Sequence, residues 1–100
     1  MSGTLIRIAA SGDLTSLRWE KKGPPNWETR SDLVGGYIER VKVRWEGRTR
    51  DAYVDENGFA KDLPHNPHVG QLLCSGFEGS TIVGPLVIWV PDAKVKKGAS

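Results

Sequence analysis

The stretch YIERVKVRWEGRTRDAYVD, residues 37–55, constrains the fold more than any other part of the chain. Between Tyr37 and Glu46 the side chains alternate. Val41, Val43 and Trp45 fall on one side, and Arg40, Lys42 and Arg44 on the other. A period of two is the signature of a strand with one buried face. Gly47-Arg48 reads as a two-residue type II′ turn, which takes glycine first. That turn sets Trp45 against Arg50, Arg44 against Asp51, Val43 against Ala52, Lys42 against Tyr53 and Arg40 against Asp55. Apolar pairs then share one face, and opposite charges meet on the other. On this register the basic stripe neutralises itself, leaving Arg48 and Arg50 to approach an anion.

The flanking segments read as follows. Thr4 to Ala10 and Leu14 to Trp19 are short strands joined by Ser11-Gly12-Asp13, a hairpin connection. Asn26 is an N-cap for a helix over Trp27 to Val34, and Gly35-Gly36 ends it. After the central hairpin, Glu56-Asn57-Gly58 turns the chain into a third short strand, Phe59 to Leu63. Asn66-Pro67 is expected to cap a second short helix whose buried side is Val69, Leu72 and Leu73. Ile82 to Val90 is a closing strand in which Pro85 marks an edge position or a bulge. The expected order is β-β-α-β-β-β-α-β, an α+β fold with one mostly antiparallel sheet and two short helices.

One hundred residues support a single domain with a modest core. Residues 1–91 are expected to form it, and 92–100 a flexible basic tail. The formal net charge is +2. Three of the lysines, Lys94, Lys96 and Lys97, lie in that tail, so the body is close to neutral. The single cysteine, Cys74, excludes an internal disulfide. No apolar run approaches the ~20 residues of a membrane span. A cytoplasmic protein is expected, without membrane contact.

Several pieces of the chain resemble one family. They are LVGGYIERV at 33–41, DENG at 55–58, LPHNP at 63–67 and TIVGPLVI at 81–88. In this order and spacing they are similar to a family of small domains of unknown function encoded mostly by phages and other mobile elements. Val69 and Pro85 depart from the residues usual in that family. The resemblance implies a viral or mobile-element origin, in a host cytoplasm, and supplies no catalytic residues.

The segment from Asp62 to Cys74 is the one place where metal chemistry suggests itself, through Asp62, His65, His68 and Cys74. Asn66-Pro67 interrupts the two histidines, and on a helix Cys74 would lie about 9 Å from His68. A strand-to-helix corner is the simpler reading. Cys74 has no evident activating cation or helix N-terminus and reads as a small core residue. No nucleophile elbow, phosphate loop or dinucleotide fingerprint occurs. The chain is therefore expected to be non-enzymatic and to need no cofactor or metal. Trp19 and Trp27 bracket a loop carrying Lys21 and Lys22. With Arg48 and Arg50 these form the candidate binding residues, since aromatics beside cations stack bases and populate interfaces. The expected role is binding a host component, a counter-defence act that occludes a host protein or sequesters a nucleotide-like signal, with a homo-oligomer as one way to build the pocket. The alternative is a nucleic-acid-binding accessory protein using the basic strand face and tail.

Overall fold

The computed structural model describes residues 2–74, 76–77 and 81–92. Its elements are β1 (Gly3–Ile8), β2 (Leu14–Trp19), α1 (Trp27–Val34), β3 (Ile38–Trp45), β4 (Arg48–Asp55), a 3₁₀ turn (Gly70–Leu72) and β5 (Leu86–Pro91). All strand pairs are antiparallel, and the sheet order is β2-β1-β5-β4-β3. The fold is thus mostly sheet, α+β in the broad sense.

Local chemistry accounts for α1 as expected. The Asn26 side-chain oxygen accepts from Thr29 N–H at 2.9 Å. Gly35, in the left-handed conformation, closes the other end by donating its N–H to Ser31 O. α1 covers one face of the sheet, which we term the helix face. There Val34 packs with Leu5, Trp19, Tyr53, Val87 and Trp89. Ile8, Val41, Val43, Ala52, Val54, Leu86 and Ile88 line the opposite face, which Val69, Leu73 and Ile82, from the described residues between β4 and β5, cover. β5 is buried on both sides: Leu86, Val87 and Ile88 are fully enclosed. That explains its unbroken apolar run, which is neither at an edge nor bulged. Pro85 lies just before the strand, where no ladder donor is needed.

Four expectations are corrected. The central hairpin turns through Glu46-Gly47, not Gly47-Arg48. Both residues have positive φ, 52° and 77°, the geometry of a type I′ turn. The register shifts by two: Lys42 faces Asp51, Arg40 faces Tyr53, Arg44 faces Thr49 and Trp45 faces Arg48. A shift of two preserves the faces but changes every partner. The strand expected over 59–63 is a run of turns, closed by Lys61 N–H to Asn57 O, Asp62 N–H to Phe59 O and Leu63 N–H to Gly58 O. It has no room in the sheet, because the free edge of β4 is taken by β5. The second helix shrinks to the 3₁₀ turn, since Asn66 holds one end and Leu73 bridges to Val43 at the other. The order is therefore β-β-α-β-β-β, with one helix. Finally, Asp92 belongs to the folded body: its N–H donates to Ser2 O. Residues 93–100, most of the expected tail, lie outside the described residues.

The corner at LPHNP is the joint of the molecule. Asn66 is 1% exposed. Its Nδ2 donates to Ile8 O at 3.0 Å and Gly84 O at 2.9 Å, and its Oδ1 accepts from His68 N–H at 3.1 Å. Its backbone N–H donates to Ile82 O, and Gly84 N–H donates to Pro64 O. A buried side-chain amide thereby ties β1, the corner and the lead into β5 together. The DENG turn is anchored similarly. The Asp55 carboxylate is almost wholly buried, accepting from Asn57 N–H at 2.8 Å and from Lys61 Nζ at 2.7 Å. Lys61 also donates to Gly35 O at the end of α1.

Candidate cationic binding face

The register decides the electrostatics of the helix face. Asp51 forms its ion pair with Lys42. Asp55 is committed to Lys61, from inside the DENG turn. Neither carboxylate reaches Arg40 or Arg44, which are exposed and make no ion pair among the described residues. The stripe expected to be self-neutralised is therefore open at two of its three cations.

Two further groups flank it. The Arg30 guanidinium of α1 lies over the Tyr53 ring, 4.8 Å from its centroid, and donates through Nε to Asn26 O. Tyr53 sits opposite Arg40 in the ladder, so an arginine approaches it from the helix and another stands beside it on β3. At the end of the same region Trp27 and Tyr37 form a tilted ring pair, centroids 6.3 Å apart, at 50% and 62% exposure. Tyr37 precedes Arg40 by three residues, roughly 10 Å in extended chain. Exposed cations together with exposed rings suit a ligand with both negative charge and flat apolar groups.

The six residues singled out from the sequence do not assemble. Trp19 is 7% exposed, and its Nε1 donates to Gly23 O at 3.0 Å. It is a core ring that pins the loop, with Lys21 Nζ 5.3 Å from its centroid, and it is not available to stack a base. Lys22 is exposed beyond it. Trp27 belongs to the ring pair on the helix side. Arg48 and Arg50 share a face with Trp45 and Val43, on the other side of the sheet. Arg48 is exposed, while Arg50 is half-buried with Nε unpartnered among the described residues. β2 and β3 are opposite edges, four strand spacings or about 19 Å apart. The sequence offers Arg40 and Arg44 only through the alternative reading, the basic strand face, and does not single out Arg30, Tyr37 and Tyr53 beside them. The available signal was Gly47 read as the second turn residue, which alone removes the expected neutralising pairs.

Elsewhere, electrostatics fasten the termini. Arg18 binds Asp92 through both terminal nitrogens and Glu20 through Nε. The Arg18 hydrogen bond, then that of Ser2, lowers the Asp92 pKa to about 2. Cys74 is half-buried and belongs to neither core, contrary to expectation. Its N–H donates to Lys42 O along the outer edge of β3. Among the described residues no three His, Cys, Asp or Glu side chains are grouped to hold a metal, and no helix is long and apolar enough to cross a membrane.

Comparison with protein-family profiles, with curated proteins and with solved structures returns no match for this chain.

Proposed function

We propose that this chain is a non-catalytic binding protein whose target is a nucleic-acid strand, carried on the helix face by Arg40 and Arg44 with Arg30, Tyr37 and Trp27 beside them. The observation that supports this reading is the pair of exposed arginines left without carboxylates once Asp51 and Asp55 are engaged elsewhere. Arginine and phosphate form charge-assisted bonds, and neutralising phosphates releases counterions. With three phosphates contacted on a single strand, affinity falls about twentyfold between 50 and 200 mM salt. The test is fluorescence anisotropy with a labelled single-stranded 20-mer across that range. Arg40→Glu/Arg44→Glu should abolish binding and Arg48→Glu, on the opposite face, should spare it. A flat salt response, or equal loss with Arg48→Glu, refutes the proposal.

A second reading has one observation in its favour, the exposed Trp27–Tyr37 pair. Aromatic rings of this kind anchor protein interfaces. Under that reading the chain occludes a host protein, and Trp27→Ala/Tyr37→Ala releases the partner even in high salt. A phage or counter-defence role rests on the sequence resemblance alone.

A further inference from the structure

The two edges of the sheet are treated differently. The outer edge of β3 is covered where Leu73 bridges to Val43 and Cys74 N–H donates to Lys42 O. The outer edge of β2 has no such cover among the described residues. All of β2 except Trp19 is exposed, including Leu14 at 57% and Leu17 at 43%. Natural proteins usually protect such an edge with proline, a bulge or unpaired charge. β2 has neither proline nor bulge, and its one charge, Arg18, is engaged by Asp92 and Glu20.

The register fixes which backbone groups point outward. Ala9 N–H donates to Asp13 O, so residues 9 and 13 form a hydrogen-bonded pair at the hairpin end. Alternation along the ladder then turns residues 15, 17 and 19 toward β1, and leaves the N–H and C=O groups of Leu14, Ser16 and Arg18 facing out. This row reads the same in both directions about Ser16. We propose that β2 pairs with β2 of a second copy of this chain across a two-fold axis at Ser16, joining two five-stranded sheets into one. Ser16 then opposes Ser16 of the partner, and Leu14 opposes Arg18 in each direction, six backbone bonds in all. On the helix side Leu17 packs on Thr15 of the partner twice, covering the exposed leucine. This match is isologous, as a two-fold requires. It does not depend on the nucleic-acid reading, because β2 is the edge remote from Arg40 and Arg44.

A six-residue strand pair buries less than the ~1,200 Å² of standard interfaces, so the dimer is a weak one that forms with rising concentration. Sedimentation velocity from 5 to 500 µM should show a rise from 11.0 kDa toward twice that mass. Ser16→Pro removes the central outward donor without touching an inward one. It should stay monomeric throughout with an unchanged circular dichroism spectrum. In a Cys74→Ser background, Ser16→Cys should cross-link on mild oxidation and Thr15→Cys should not, since 15 opposes 17. A wild-type chain still monomeric at 500 µM overturns the proposal. So does a folded Ser16→Pro chain that dimerises, or equal cross-linking at both positions.

Discussion

Replacing Asn66 by aspartate changes almost no volume and reverses the chemistry of the joint. Two N–H donors aimed at Ile8 O and Gly84 O become a carboxylate oxygen facing two carbonyls. Losing two buried hydrogen bonds costs about 2 kcal/mol. The buried charge adds more, but protonation limits it. Neutralising a carboxylate of ordinary pKa at pH 7 costs about 4 kcal/mol, and near pH 4 almost nothing. Asn66→Asp should therefore lose about 4–6 kcal/mol at pH 7 and about 1–2 kcal/mol at pH 4. The sign follows from linkage. The substituted carboxyl has its folded pKa raised, so its stability is intact below the unfolded value and lost as pH rises through the folded one. A domain of this size has roughly 5–15 kcal/mol in total, so the neutral-pH variant falls close to unfolding. Asn66→Ala lacks a titrating group and should cost about 3 kcal/mol at both pH values. Urea unfolding of the three chains, followed by tryptophan fluorescence, gives the differences. Equal losses for the two variants at both pH values would refute the role assigned to the amide.

Other expectations concern separate parts of the fold. Glu46→Asn suits the type I′ turn better than glutamate at positive φ, and should raise stability by about 0.5–1 kcal/mol in thermal melts. Gly3→Ala would place a methyl carbon 2.5 Å from both the Trp89 ring and Val90 O; we expect a loss of about 1–3 kcal/mol in urea unfolding. Asp92, with its pKa lowered to about 2, keeps its tether above the unfolded value of 3.8 and loses it as pH falls through about 2. Arg18→Gln should return the Asp92 titration, followed by carboxyl NMR, toward 3.8.

Local signals carried much of this architecture into the sequence. Asn26 and Gly35 mark α1 to the residue, and the alternation of 37–46 names the buried face of β3 correctly. What local signals do not carry is competition between elements. Residues 59–63 follow a good turn and look like a third strand, but β5 already occupies the edge they would need. The closing strand looked peripheral because of Pro85, although its continuous apolar run already fits a strand buried on both sides. The two unpaired arginines of the proposed binding face were hidden by one choice between two turns sharing Gly47, which moved the aspartates by two places. Asn66 was legible as a capping residue but not as a buried tie, because its partners Ile8 and Gly84 are 58 and 18 positions away.

The strand at the centre of the sheet is also the last of its five strands in the chain. Within the sheet neither hairpin can pair with the other until Leu86–Pro91 has left the ribosome, because β5 is the strand hydrogen-bonded to both. During synthesis the two hairpins wait with their inner edges bare. Closure then pairs residues 78 to 88 positions apart, from Ile8 with Leu86 to Gly3 with Pro91, which favours slow folding. A stop codon between Asp55 and Leu86 would release the two hairpins without the strand that pairs with both, so such truncated products should precipitate or be degraded instead of surviving as smaller domains.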